Sequence, residues 1–194
     1  HVTGVDVGAD LVERAVKAAA AKGLEGKTSF QPVESGPFPF EDTTFDVVFI
    51  KDVVCHIEDK HAVFAEVGRV LKPGGRLLCA DFADGERVGE AATLYEDWIA
   101  AMQAYGLSFH FEKLNAYTDA YAAAGMGAVS VRDHTELSAA AAKREVDFVT
   151  GPDAGPLREA LGEEKFAARI AASTMRYKAL SSGGLNHVHM FATR

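Results

Sequence analysis

FDVVFIKDVVCHIEDKHAVFAEVGRVLKPGGRLLCADF, residues 45–82, reads as strand, polar crossing, helix, glycine turn and strand. Asp46 opens an apolar run, Val47 to Ile50, too short for a helix and rich in β-branched and aromatic residues, as a strand buried on both faces should be. Asp59 is a candidate N-cap for a helix over 60–71, whose apolar Val63, Phe64, Val67, Val70 and Leu71 fall on one face. Pro73 cannot continue that helix, and Gly74-Gly75 supply a permissive turn before a second strand over 76–82. This is one parallel crossover unit, right-handed by the usual rule. Ligands of open parallel sheets sit beyond the carboxyl ends of the strands, which singles out Lys51, Asp52 and Asp81.

Working outward, 194 residues with 48% hydrophobic content can bury a real core, and one domain is expected. A formal net charge of -8, with no Lys/Arg cluster, argues against a nucleic-acid surface and favours small-molecule partners. Cys55 and Cys79 lie in or beside apolar runs without metal-ligand spacing, so both are expected as free, buried thiols in a reducing, cytoplasmic setting. No apolar run approaches the roughly 20 residues of a membrane span, and no membrane partner is expected.

Upstream, a strand over 2–7 is followed by a helix over 9–22 that Gly23 stops. Asp6 stands at the strand's carboxyl end, where an acid accepting two ribose hydroxyls belongs in nucleotide-binding α/β folds, and where an aspartate equally serves as a turn residue. A short strand over 28–32 leads into a Pro- and Gly-rich loop holding Val33 and Glu34. Glu34 could accept from an exocyclic amine such as that of adenine, although loop glutamates are usually only solvated.

The order VTGVDVGADLVERA, FPFEDTTFDVVF and RVLKPGGRLL resembles the class I methyltransferases that use S-adenosylmethionine. That resemblance implies an α/β, Rossmann-like, mostly parallel doubly wound sheet with an antiparallel last strand and helical cap insertions at about 86–124 and 136–180. It implies that Asp6 holds the ribose, that Val7 lines the adenine edge, that Val33 and Glu34 meet the adenine, and that Lys51 and Asp52 close over the methionine part. The family's first strand and glycine-rich loop would precede His1. The expectation is therefore a single domain over 1–194 that lacks this strand, with an amino-terminal segment missing from the chain as given.

Beyond Phe82, helices over 86–105 and 112–124, a strand over 128–132, an alanine-rich helix and GPDAGP loop over 137–155, a helix over 163–180 and a closing strand are expected. The blocks KDVVCHIEDKHAVF, ADF and AYGLSFHFEKLNAYTDAYAAAGMGAVSVRDHTE resemble the phosphoethanolamine N-methyltransferases and, more loosely, the sarcosine and dimethylglycine N-methyltransferases. The implied acceptor is a small amine, with Tyr105, Arg132, His134 and Arg176 as substrate-binding candidates. His134 stands where that family has arginine, so its positive charge is conditional at neutral pH. His187 and His189 lie two apart on the closing strand, and without a carboxylate or cysteine near them in sequence no metal is expected.

The implied reaction is direct displacement of the sulfonium methyl by an amine, leaving S-adenosylhomocysteine. Asp81 is the candidate for orienting or deprotonating the amine, with capping of the next turn as its plain alternative role, and His56 is the second candidate, as pocket wall or proton relay. A small-molecule O-methyltransferase and a non-catalytic interaction module are the alternatives, since fold does not fix function.

Overall fold

The computed structural model describes residues 1–34, 36–103 and 106–194. The chain divides into two compact units, His1–Glu41 and Asp42–Arg194.

In the first unit, β1 (Val2–Asp6) and β2 (Thr28–Pro32) run parallel, in register from Val2 opposite Thr28 to Asp6 opposite Pro32. α1 (Ala9–Ala20) makes the crossover and buries Val12 and Ala19. It stops two residues short of the expected end, and Gly23 follows in the left-handed region at φ +65°. Gly4 is required for packing, because a Cβ there would stand 2.6 Å from the Phe30 ring.

The second unit contains β3 (Phe45–Lys51), a 3-10 turn (Val54–His56), α2 (Lys60–Val70), β4 (Leu71–Asp84), α3 (Glu90–Gln103) and α4 (Leu114–Ala123). Then come β5 (Gly127–Asp133), α5 (Thr135–Thr150), α6 (Gly155–Leu161), α7 (Glu163–Ser181) and β6 (Leu185–Thr193). The sheet order is β3-β4-β6-β5, with β3 and β4 parallel and the closing strand β6 antiparallel to both its neighbours. The α/β, mostly parallel architecture with an antiparallel last strand is thus as expected.

Asp59 caps α2 as expected, its Oδ1 accepting from the Ala62 N–H at 2.9 Å. β4 is longer than expected at its start. Phe45 pairs with Leu71 and the register then shifts so that Val47 faces Arg76, while the intervening Pro-Gly-Gly bulge is stitched to the end of the chain. The Gly74 N–H donates to the Arg194 carbonyl at 2.8 Å and the Arg194 N–H to the Gly75 carbonyl at 2.9 Å. The GPDAGP stretch, expected as a loop, forms a 3-10 turn (Pro152–Ala154) running into α6. Proline in a first helical turn loses no hydrogen bond, which explains the difference.

Alternation along the strands separates two faces of the sheet. Leu77, Cys79, Asp81, Val188, Met190 and Ala192 are buried. Against this side, Phe64 of α2 meets the Tyr121 ring of α4 edge-on at 4.4 Å, and the Tyr121 O–H reaches Met190 Sδ at 3.7 Å. Each such aromatic contributes about 1.5–3 kcal/mol by leaving water. The other face carries Lys51, Ala80, Phe82, Arg132, His187 and His189, since paired residues across a sheet share a face and residues two apart along a strand do too. A second cluster, Tyr95, Trp98, Phe111, Ala142, Ala179 and Leu180, unites the cap helices α3, α5 and α7.

Candidate functional site

At the carboxyl ends of β1 and β2, Asp6 makes a local turn. Its Oδ1 accepts the Gly8 N–H at 2.8 Å, and its carbonyl accepts the Val33 N–H at 3.0 Å. The second carboxylate oxygen takes no partner among the described residues. Asp6 therefore plays the turn role and keeps one acceptor open. Val7 is 72% exposed beside it. Glu34 is exposed, while Val33 is half-buried with its N–H already committed to Asp6. A hollow of about 210 Å³ in this unit is lined by Asp6, Gly4, Leu11, Val12, Ala15 and Phe30, with Val5.

Asp81 does not stand as a free base. It is 0% exposed, and its Oδ2 accepts the Val53 and Val54 N–H groups at 3.0 and 2.7 Å. Oδ1 accepts the Cys55 and Phe82 N–H groups at 3.2 and 2.8 Å. A carboxylate offers about four acceptor sites, and four donors fill them. The capping role prevails, because the strand alternation that turns Lys51 and Phe82 outward turns Asp81 into the core. Lys60, 5% exposed, completes the arrangement from below. Its Nζ donates to the carbonyls of Val54 at 2.8 Å, His110 at 2.6 Å and Ile57. Burial lowers the Lys60 pKa while the Asp81 carboxylate opposes that shift. Sequence reading missed Lys60, whose position in the first turn of a polar-ended helix gave no sign of burial.

His56 is exposed at the end of the 3-10 turn, its Nδ1 2.6 Å from the Ser108 carbonyl and its ring 4.6 Å from that of Phe109. A carbonyl only accepts, so Nδ1 carries the proton and the neutral ring keeps a lone pair on Nε2. His56 thus retains the chemistry of a proton acceptor.

Asp52, at the tip of β3, is held in the left-handed region at φ +52°, and its N–H donates to the Ala80 carbonyl at 2.9 Å. Lys51 Nζ lies 3.0 Å from Asp52 Oδ2, and His187 Nε2 lies 3.5 Å from Oδ1. Burial works to raise the Asp52 pKa, but His187 and Lys51 outweigh it and hold the carboxyl below its ordinary value. His187 Nδ1 is 2.7 Å from Ser138 Oγ. The His134 ring stacks on that of His189 at 4.0 Å, and His189 meets His187 at 5.5 Å. Arg132, opposite His189, lies over the Phe191 ring at 5.5 Å and takes no carboxylate partner among the described residues.

The structure thus brings Lys51, Asp52, Arg132 and His134 into one neighbourhood and adds His187 and His189. The NHVH alternation was legible, but its meeting with Asp52 depends on β6 lying beside β4. Among the described residues, no group of three or more His, Cys, Asp or Glu side chains is arranged to hold a metal ion. Arg176 does not join this neighbourhood. It pairs with Glu145, which also accepts from Ser173 Oγ at 2.9 Å, so its charge is spent in the seam between α5 and α7. Tyr105 lies outside the described residues. Cys55 and Cys79 are free and buried, and among the described residues no helix is long and apolar enough to cross a membrane.

Residues 1–79 match the family described as Methyltransferase domain. Phosphoethanolamine N-methyltransferase 3 of Arabidopsis thaliana is 29% identical over 148 residues, covering 76% of this chain and 28% of that protein. Phosphoethanolamine N-methyltransferase 1 of Triticum aestivum is 26% identical over 191 residues, covering 88% of this chain and 36% of that protein. The chain therefore spans between 28% and 36% of the length of these curated relatives. Among solved structures, phosphoethanolamine N-methyltransferase 2 of Haemonchus contortus, in complex with phosphomonomethylethanolamine and S-adenosylhomocysteine, superposes with a TM-score of 0.83 at 18% identity, over 98% of this chain and 42% of that one. A Galdieria sulphuraria protein provisionally named a sarcosine dimethylglycine methyltransferase gives 0.79 at 17% identity, over 98% and 68% of the two chains.

Proposed function

We propose that this chain, a member of the class I methyltransferases, moves a methyl group from S-adenosylmethionine to the amine of a small metabolite such as phosphoethanolamine or a glycine derivative. The observation that carries the reading is Asp6, an acid at the tip of a parallel strand inside the matched stretch, with one oxygen fixed by the Gly8 N–H and the other open. That geometry suits a ribose hydroxyl, which needs an acceptor already oriented. Val7, Val33 and Glu34 beside it supply apolar edge and acceptor for an adenine.

When bound, S-adenosylmethionine supplies an electrophilic methyl on a sulfonium. The chain's part is to align the acceptor nitrogen in line with it, exclude water and remove a proton. Arg132 and His134, with His189, offer positive charge to a phosphate or carboxylate of the acceptor, with Arg132 over an aromatic face rather than tied to an acid. His56, with Nε2 free, remains a candidate proton relay, whereas Asp81 serves the loop. The protein that carries this reaction is expected in the cytoplasm, acting on small molecules.

Calorimetry with S-adenosylhomocysteine tests the reading. Binding is expected, and Asp6→Ala should weaken it about tenfold, the loss of one or two hydrogen bonds. No binding by the unaltered protein would refute it.

A further inference from the structure

The loop from Val53 to Ile57, just beyond the tip of β3, is held along its whole backbone. The Val53, Val54 and Cys55 N–H groups donate to the Asp81 carboxylate at 3.0, 2.7 and 3.2 Å, and the His56 and Ile57 N–H groups donate to the Val53 and Val54 carbonyls, each at 3.0 Å. Lys60 Nζ donates to the Val54 and Ile57 carbonyls, and the Cys55 carbonyl accepts the His110 N–H at 2.7 Å. The same ammonium also donates to the His110 carbonyl at 2.6 Å, which ties the strap of residues 108–111 to the loop. Asp81 is 0% and Lys60 5% exposed. Buried ions are costly to dehydrate, and apolar replacements of similar volume often stabilise a fold equally well, so such a pair points to exact placement of the chain rather than to stability.

What this frame places is His56. Its side chain is exposed, its Nδ1 lies 2.6 Å from the Ser108 carbonyl and its ring lies 4.6 Å from that of Phe109, both residues of the strap. A carbonyl only accepts, so the strap itself fixes the hydrogen on Nδ1 and orients the ring. Nε2 takes no partner among the described residues. We infer that Lys60 and Asp81 are positioning residues, which hold loop and strap together so that His56 Nε2 is set to take the proton of the methyl acceptor; this rests on the methyl-transfer reading above.

In that step one N–H bond of the acceptor's ammonium breaks, the proton passes to Nε2 and the electron pair stays on nitrogen. That pair forms the N–C bond as the C–S bond of the methyl breaks, with the C–S pair left on sulfur. The imidazolium, still donating from Nδ1 to Ser108, then returns its proton to water. A base free to rotate meets the ammonium only part of the time, whereas one fixed by its surroundings is oriented beforehand. The charged and titratable groups that the neighbouring elements set around His56 are Asp52 and Glu58 at the two ends of its loop, Cys55 within it, Lys60 of α2, Asp81 of β4 and His110 of the strap.

The test uses the full protein with isotope-labelled histidine, so that nitrogen NMR reads the tautomer of His56 at alkaline pH. Methyl transfer is measured against pH beside S-adenosylhomocysteine binding and thermal unfolding. The unaltered protein should hold the hydrogen of His56 on Nδ1 and show an acid limb in kcat. His56→Gln should lower kcat about a hundredfold, lose that limb and recover at high pH, where the amine arrives deprotonated, with KM, S-adenosylhomocysteine binding and unfolding temperature unchanged. Lys60→Met should let the His56 hydrogen move toward Nε2, as in a free imidazole, and lower kcat about tenfold at unchanged KM. Asp81→Asn, which keeps one acceptor oxygen and is the milder change, should do the same to a smaller extent and is read alone if Lys60→Met does not fold. Transfer by His56→Gln at the original rate and pH profile would overturn the inference. So would a hydrogen on Nε2 in the unaltered protein, or Lys60 and Asp81 variants that keep the tautomer and lose activity only in step with stability. Failure of the unaltered protein to bind S-adenosylhomocysteine would instead refute the methyl-transfer reading, and the inference with it, whatever tautomer His56 shows.

Discussion

Two acid–base pairs bracket the loop after β3, and they are finished to different degrees. Asp81 gathers four backbone N–H groups, three of them from residues 53–55, and Lys60 gathers three carbonyls, two of them from the same loop at Val54 and Ile57. Every lone pair and every ammonium hydrogen is used. Asp52 at the tip of β3 and His187 on β6 face each other at 3.5 Å, with Lys51 on the outer oxygen of Asp52 and Ser138 on Nδ1 of His187. The saturated pair is built to hold the chain in place. The second pair, joined only at 3.5 Å and with the Asp52 side chain 40% exposed, is looser.

The contrast breaks most visibly at Asp81. Asp81→Ala takes the acceptor from four N–H groups, two of them fully buried, and a loss of about 3–5 kcal/mol in urea unfolding is expected. If stability were unchanged while methyl transfer vanished, Asp81 would return as the base. Lys60→Met, which keeps length and apolar bulk, should cost somewhat less, about 2–4 kcal/mol, because only carbonyl acceptors are left dry. By contrast His187→Asn should change unfolding by about 1 kcal/mol or less, since it removes only a long contact to a half-exposed carboxylate.

The faintest effect concerns His189. Burial first, then the neighbouring His134 and His187, holds its pKa below the ordinary 6.5. The folded state therefore binds fewer protons than the unfolded chain below pH 6.5, so this contribution is complete above that pH and is lost as pH falls toward the lowered value. Unfolding midpoints measured between pH 7 and 5 should fall, and fall less steeply in His189→Asn.

Much of this was legible in the sequence. The strand–helix–strand of residues 45–82, the N-cap at Asp59 and the stop at Gly23 follow from local patterns, because period, caps and glycine turns act over a few residues. What escaped depends on lateral order in the sheet. His187 meets Asp52 only because β6 inserts between β4 and β5, and Arg176 meets Glu145, 31 residues earlier on another helix. The direction of Asp81 was in principle readable, since it alternates with Ala80 and Phe82, but its acid chemistry at a strand end suggested a cleft rather than a core.

The central claim is tested most directly by incubating the full protein with methyl-labelled S-adenosylmethionine and phosphoethanolamine or glycine derivatives, and following label by mass spectrometry. The account predicts label on the acceptor nitrogen with one S-adenosylhomocysteine formed per methyl moved. Label on an oxygen, or none on any amine from a protein that binds the cofactor, would contradict it.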